Sequence, residues 1–430
     1  MYDMIKVIIP YDNVSERSYA VKQTFSILGL DCMISVDERL SDYIVSCGDG
    51  RVIVKDSFFA AHKEKKSYLS ISNIPQNIEF TTNGFVPGDD IPVIFGTGRV
   101  VEKGSTVECG IDVFASVFFM LSRWEEYVSD NKDQHSRFPV AESLAFKAGF
   151  ISRPVVNELC LMLLNMISYV SCCSLRATGK FSVIYTHDID LFAQASTRNL
   201  LRSIYYRKGL GYMLATLRGL INFDKDMYNQ YSYLMDQSEM RGGKSIFFFM
   251  TEGCPLRSVG FRKTIAEILK RGHTVGFHPG YGTYSNEQLW KRQLELLKEA
   301  SGIDIAESRQ HVLQVAVPST FRIWENNGIE IDSTLCYAEY AGFRCGTGNV
   351  FNLYDVENSK MLNVRERPLI VMDVTLRHYE KLTPDRARVR ISEIKRVCKL
   401  FETPMTLLIH NSNLCGNGWD EWKKMYEEIC

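Results

Sequence analysis

The spacing of apolar and polar residues changes its rhythm near residue 176. Before that point, "IKVIIP" at 5–10 reads as a strand, and "ERSYAVKQTFSILGL" at 16–30 carries the 3.6-residue repeat of an amphipathic helix. "YIVSCGDGRVIVKDSFF" alternates as a hairpin turning at Asp49-Gly50. From 111 the pattern is helical: "DVFASVFFMLSRWEEYV", a polar loop "SDNKDQHSRF", then "PVVNELCLMLLNMI", with Pro154 where a first helical turn tolerates it. These features predict a smaller α+β domain over 1–176, with no chemistry assigned to it.

After "RATGK" at 176–180, strand-length apolar runs alternate with helix-length amphipathic segments. The runs are "FSVIYT", "SIFFFM", "HTVGFH", "HVLQVA", "IEIDSTL", "PLIVMDVTL" and "MTLLIH". Between them lie "TIAEILKRG", "SNEQLWKRQLELLKEASG", "PSTFRIWENNG", "PDRARVRISEIKRVCKLFE" and a final "DEWKKMYEEI". Ser285 with Gln288 reads as a capping box, Pro384 follows Thr383 at a helix start, and Gly272, Gly302 and Gly328 stop their helices. Strand–helix alternation implies parallel strands joined by right-handed crossovers. Seven such strands without a glycine-rich dinucleotide loop predict an α/β fold: a distorted seven-stranded (β/α) barrel over 177–430. Its functional residues belong at the carboxyl ends of the strands.

Composition narrows the function class. The 430 residues are 45% hydrophobic and 23% charged, with 12 prolines, as in an ordinary globular protein. The formal net charge is -1, and Lys and Arg are spread along the chain, which argues against a nucleic-acid partner. The opening "MYDMIKVIIPYDN" lacks the features of an export signal, so a cytoplasmic protein is expected. The 12 cysteines show no C-x-x-C pair and are expected to stay reduced. "LCLMLLNMISYVSCCSL" at 159–175 is short and diluted by Asn165 and serines, so a buried helix is expected and not a membrane span. Glu125, Glu126, Asp133 and His135 match no ligand spacing and read as a solvated helix end and loop.

The strand ends collect ionisable residues. "YTHDID" finishes the first strand in His187, Asp188 and Asp190; the third ends in His278, the sixth carries Asp373 and the seventh ends in His410, with Arg309 and His311 near the start of the fourth. Two residues apart in a strand point the same way, so Asp188 and Asp190 converge. Imidazole and carboxylate together suit zinc or a similar divalent ion, with one aspartate as ligand and the other as base. His410, arriving from the far side, suits an acid.

These residues resemble the motifs of the polysaccharide deacetylase (NodB-type) family. "YTHDID" is similar to its first motif in the D-x-D variant, which implies Asp188 as catalytic base and Asp190 as metal ligand. "RGHTVGFHPGYGTYS" resembles the second motif and implies His278 as ligand. Arg309 in "SRQHVL" fits the arginine that orients the base, and "TLLIH" fits the closing motif that supplies His410 as acid. Asp373 fits the carboxylate that braces it, with Asp332 as the rival. The family's second histidine would stand at Gly282; His311 is the nearest replacement, His187 the next, and a vacancy is the third alternative. "FFMLSRWEEY", "DQHSRF" and "RPVVNE" resemble the domain that precedes such modules in proteins of bacterial surface-polysaccharide clusters.

The resemblance implies a metal-dependent N-deacetylase acting on an N-acetylated sugar or glycan precursor in cell-surface polysaccharide biosynthesis. The alternatives are an amidohydrolase on a small amide and a catalytically degenerate barrel that binds glycan or a partner. A carbohydrate is the expected partner, and Tyr281, Tyr284, Tyr337 and Tyr340 lie near the predicted mouth, where they either stack on a sugar ring or pack in the core.

Overall fold

The computed structural model describes residues 4–196, 199–201, 205, 210–416 and 418–429. In the first unit the strands are β1 (Ile5–Pro10), β2 (Cys32–Asp37), β3 (Tyr43–Cys47), β4 (Gly50–Val54), β5 (Glu79–Thr81), β6 (Ile91–Val93), β7 (Gly96–Lys103) and β8 (Thr106–Ile111). Six of them form one sheet in the order β2-β1-β3-β4-β8-β7, and β5 pairs with β6 apart from it. The sequence pattern shows β1, β3 and β4 but misses the other five. The β3–β4 ladder closes on Cys47 opposite Gly50, so the turn is Gly48-Asp49, one residue earlier than predicted. Gly48 takes φ 58°, a left-handed conformation that glycine enters without steric cost.

Helices Val14–Leu28 and Val155–Ser171 pack against this sheet. The second contains most of the uncharged stretch and is largely buried, as expected, with only Asn165 and Tyr169 exposed. No helix among the described residues is long and apolar enough to cross a membrane. The predicted single helix at 111–128 is two, Val113–Ser122 and Trp124–Tyr127, broken where Arg123 takes φ 54°. Every residue of Val113–Ser122 is buried, which matches a sequence with no polar face: the helix lies between Val14–Leu28 and a hairpin of the second unit.

In the second unit the strands are β9 (Val183–Ile189), β10 (Ser245–Met250), β11 (Thr274–His278), β12 (Glu307–Ser308), β13 (Ile331–Asp332), β14 (Phe351–Asp355), β15 (Lys360–Glu366), β16 (Val371–Met372) and β17 (Met405–Leu408). They form one sheet in the order β14-β15-β13-β12-β11-β10-β9-β17-β16, parallel throughout except for β14 on β15. Counted among the seven predicted strands, this order is 5-4-3-2-1-7-6, that of a ring opened between the fifth and the sixth. Among the described residues the ladder does not close. The hairpin β14–β15, absent from the prediction, extends the sheet beyond β13 at the opening and packs against helix Val14–Leu28 of the first unit.

Two predicted strands need correction. "HVLQVA" is no strand: the fourth strand is the two-residue β12, and His311–Leu313 is a short 3-10 turn in which Val312 and Leu313 have φ of 50° and 60°. "PLIVMDVTL" gives only Val371–Met372 before the chain turns into a π-helical segment, Thr375–Tyr379. The helices Val259–Lys270, Glu287–Ser301, Ser319–Asn326, Pro384–Leu400 and Asp420–Ile429 lie where expected. The cap of Glu287–Ser301 is Asn286, whose Oδ1 accepts from Leu289 N at 3.0 Å, and not Ser285. Two further helices, Leu210–Ile221 and Tyr231–Glu239, fill the connection from β9 to β10. No disulfide joins the described cysteines.

A buried ion network joins the units. Arg123 Nε lies 2.8 Å from Glu126 Oε1, and Arg344 NH2 lies 2.5 Å from Glu126 Oε2, all three side chains no more than 2% exposed. Glu125 and Glu126 are therefore not on a solvated helix end: both are buried and partnered by arginine. Burial alone raises the Glu126 carboxyl, but Arg344 and Arg123 outweigh it and hold it at about 2. Glu126→Gln, which leaves two buried guanidiniums without their carboxylate, is expected to cost roughly 3–5 kcal/mol of stability in a denaturant titration. The loss is full above the ordinary glutamate range and fades as pH falls toward about 2, because a depressed carboxyl stabilises only while ionised. A melting curve unaffected by the substitution would remove this joint from the energetics.

Candidate metal centre

Strand β9 delivers two alternating faces. Thr186, Asp188 and, just past its end, Asp190 lie to one side, and His187 lies to the other. His187 Nδ1 pairs with the Ile409 carbonyl at 2.9 Å, its Nε2 pairs with Ser245 Oγ at 3.1 Å, and its ring packs on Phe247. Burial lowers this imidazole to about 4, so it is a neutral core histidine and no replacement for the missing ligand.

Across the sheet, β12 leads into Arg309, whose guanidinium is completely buried over the Phe248 ring. Its Nε donates to the Ser333 carbonyl at 2.8 Å, and its NH1 donates to Thr186 Oγ1 at 2.8 Å and Asp188 Oδ1 at 2.9 Å. The Arg309 carbonyl accepts from His278 Nδ1 at 2.6 Å. One residue thus holds both a carboxylate and an imidazole, the second through a backbone contact that sets the ring's tautomer.

With the proton on Nδ1, His278 turns the lone pair of Nε2 toward Asp190, whose Oδ1 is 3.1 Å away. That oxygen is buried and has no aligned hydrogen bond. His311 Nε2 stands 4.0 Å from Asp190 Oδ2, while its buried Nδ1 has no partner. One donor atom from each of Asp190, His278 and His311 lies within 4.8 Å of the others, the only such group of three among the described residues. Lewis bases facing one another at these distances need a proton or a cation between them, and two imidazoles with a carboxylate suit a borderline divalent ion such as zinc. The donor set fits the metal that the motifs imply. Burial raises Asp190, yet the imidazoles of His278, His410 and His311 outweigh it and draw its carboxyl well below the usual range. Burial and then His278 lower His311 to about 4, which leaves its nitrogen free to bind.

His311 reaches this cluster from the 3-10 turn and not from a strand, and the next two residues, Val312 and Leu313, are left-handed. Gly282 stands at φ 79° and donates its N–H to Gln314 Oε1 at 2.9 Å. A Cβ placed there meets nothing within 4 Å, so the space for the family's histidine is open although the backbone disfavours it.

On the far side, His410 Nδ1 pairs with Asp373 Oδ1 at 2.8 Å, and its Nε2 lies 3.9 Å from Asp190 Oδ2. Asp373 also accepts from His410 N and from Asn413 Nδ2, both at 3.0 Å. Burial pulls His410 down, but the Asp373 charge prevails and lifts it to about 10. Asp332, the rival brace, is elsewhere: it accepts from Ser308 Oγ at 2.5 Å and Thr334 N at 2.8 Å.

A cavity of about 150 Å³ joins Asp188, Asp190, His278, His311 and His410 to a wall of Leu313, Ala338, Met372 and Val374. The sequence reading misses that wall, whose members belong to a small apolar cluster separate from the main core. It also misses Arg137 and Tyr379 at the rim. Arg137 comes from the loop of the first unit, held by Asp133 at 2.7 Å and by the Val312 carbonyl at 3.1 Å, so the first unit does contribute to the site. The only signal was its place in "DQHSRF". Of the two alternatives for Tyr337, stacking on a sugar or packing in the core, the structure shows the second: it is buried, and its hydroxyl accepts from Arg123 NH2 at 3.0 Å. Tyr340 packs against Phe146, and Tyr281 is 51% exposed with its hydroxyl 3.4 Å from His135 Nδ1.

Comparison with known proteins adds the following. A family of unknown function, DUF7033, matches residues 5–171. No curated protein matches the sequence. Among solved structures, a polysaccharide deacetylase from Mycobacterium smegmatis aligns over 59% of this chain and 84% of its own, at 17% identity and a TM-score of 0.41. A mutant of a CE4 family pseudoenzyme aligns over 58% and 62%, at 8% identity and a TM-score of 0.31. A polysaccharide deacetylase from Bacillus cereus aligns over 58% and 86%, at 11% identity and a TM-score of 0.29. At such values the chemistry has to be argued from this chain's own side chains.

If His311 is a ligand, His311→Ala lowers zinc affinity by at least the roughly 10- to 100-fold that loss of an outer-shell contact causes, and Asp190→Asn lowers it further. Titration calorimetry of the folded variants measures both. Unchanged affinity in His311→Ala would exclude it from the ligand set.

Proposed function

We propose that this protein is a divalent-metal-dependent hydrolase that removes the acetyl group from an N-acetylated sugar, free or carried on a precursor of cell-surface polysaccharide. The observation that carries this reading is the mixed lining of the cavity, which combines ligand atoms of Asp190, His278 and His311 with the apolar side chains of Leu313, Ala338, Met372 and Val374. An acetamido group is mixed the same way, with a polar carbonyl and an apolar methyl. At about 150 Å³ the space suits that group alone. A site that encloses a drug-sized ligand takes roughly 300–1,000 Å³. The sugar ring then lies outside, where the exposed face of Tyr281 is available for stacking.

Asp190, His278 and His311 would hold a divalent ion, which would supply Lewis acidity when bound. The rest falls to the chain's own groups. Asp188, fixed through Oδ1 by Arg309 and lining the cavity, takes a proton from the attacking water as the C–O bond forms. His410 is an imidazolium at neutral pH because of Asp373, and it gives its Nε2 proton to the nitrogen as the C–N bond breaks. Acetate and a free amine leave, and the proton on Asp188 returns to His410 through solvent. Asp373 touches no substrate: it keeps the His410 ring turned so that Nε2 faces the cavity.

Acetate release from N-acetylated sugars, chitooligosaccharides and sugar nucleotides, compared with small non-sugar amides, tests the substrate class directly. Turnover confined to the non-sugar amides would replace the sugar reading. Asp188→Asn is expected to keep its metal and lose turnover by roughly 10²- to 10⁴-fold. Metal loss equal to that of Asp190→Asn would contradict the division of roles. His410→Ala should slow amide cleavage far more than cleavage of an activated ester, whose leaving group needs no proton. An equal drop on both would take the acid role away from it.

A further inference from the structure

Helix Leu210–Ile221 is turned inside out. Its buried residues are Thr216 and Gly219, whereas Leu210, Leu214, Leu217, Leu220 and Ile221 are 72%, 44%, 40%, 40% and 86% exposed. A surface helix of a soluble protein normally buries its leucines and exposes its small polar residues. Here the inner contacts fix the opposite orientation. Thr216 Oγ1 accepts from Gln194 Nε2 at 2.9 Å. A Cβ at Gly219 would meet the Ala195 Cβ at 2.7 Å and an Asp226 carboxylate oxygen at 3.0 Å, so the close approach requires glycine. Asp226 in turn accepts from the backbone N–H groups of Gln194 and Ala195 at 2.9 and 2.7 Å. The small, polar inner face is built to hold the apolar face outward.

The surrounding sequence says what that face meets. The 33 residues from Leu191 to Phe223 include Arg198, Arg202, Arg207, Lys208 and Arg218 and no aspartate or glutamate, in a chain whose formal net charge is -1. A two-fold contact between copies would set this acid-free segment against itself, like charge to like charge. Exposed leucines with Arg218 on the same helix, in a stretch of sequence that is basic and free of carboxylates, are instead the pattern of a helix lying in an anionic lipid interface. The segment begins one residue after Asp190. Asn411, beside His410, donates to the Leu191 and Tyr228 carbonyls at 3.0 Å each, which ties the segment to the strand ends that carry the site.

We propose that the outward face of helix Leu210–Ile221 docks the protein peripherally on an anionic lipid bilayer. This inference does not depend on the reaction proposed above. Flotation of the full chain with unilamellar vesicles tests it. Vesicles of phosphatidylcholine with phosphatidylglycerol should carry the protein upward, those of phosphatidylcholine alone should not, and high salt should release it as the Debye length shrinks from about 10 Å at 0.1 M to about 3 Å at 1 M. Arg218→Ala should weaken binding about fivefold, the equivalent of about 1 kcal/mol for one basic residue at the surface. Leu217→Ser with Ile221→Ser should abolish flotation while the melting temperature holds, since both side chains are exposed. Absence of flotation, equal flotation with both vesicles, or flotation unaffected by the double substitution overturns the proposal. So does a concentration-dependent dimer that the double substitution dissolves without any lipid binding, which would assign the face to a second copy.

Discussion

The buried guanidinium of Arg309 is the contact on which the site depends. It reaches β9 through Thr186 and Asp188 and the segment after β13 through the Ser333 carbonyl, while the backbone carbonyl of the same residue accepts from His278 at the end of β11. A cation with no solvent exposure is tolerated only where acceptors surround it, and here those acceptors are the elements that must be held in register. The side chain fixes Asp188 and the backbone carbonyl of the same residue fixes His278. Two-residue strands such as β12 have little ladder of their own, so side-chain bonds of this kind carry the geometry that backbone pairing does not.

The second constraint lies between the units. The sheet of the second unit is not hydrogen-bonded shut among the described residues, and the hairpin β14–β15 at its opening packs against helix Val14–Leu28. The wholly buried helix Val113–Ser122 and the Glu126 ion pairs fill the space nearby. Arg137 reaches the cavity rim because this joint places the loop that carries it. The first unit is therefore part of the site's wall and more than an appendage to it.

The proposed docking and the proposed hydrolysis draw on one stretch of chain. The connection that leaves β9 directly after Asp190 is the one that presents the outward leucines, and Asn411 pins it next to His410. A substrate carried at a lipid surface would meet both features together.

The sequence alone determined where the ionisable residues fall relative to the apolar runs. Strong, local periodicity marked β1, β9, β10, β11 and the long helices, and the strand ends singled out Asp188, Asp190, His278, His410 and Arg309, because a residue's place at the end of a strand is set by its near neighbours in the chain. What the tertiary structure decided was every relation between distant segments. β12, β13 and β16 are two residues each, held by neighbouring strands, so "HVLQVA" looked like a strand while the true one was too short to see. His311 came to Asp190 from a 3-10 turn that no period announces, Tyr337 went into the core because Arg123 and Arg344 were waiting there, and Asp373 rather than Asp332 met His410. Arg137 and the apolar wall were illegible for the same physical reason: convergence in space is fixed by packing and buried charge pairing between elements, and neither leaves a local signature in the order of residues.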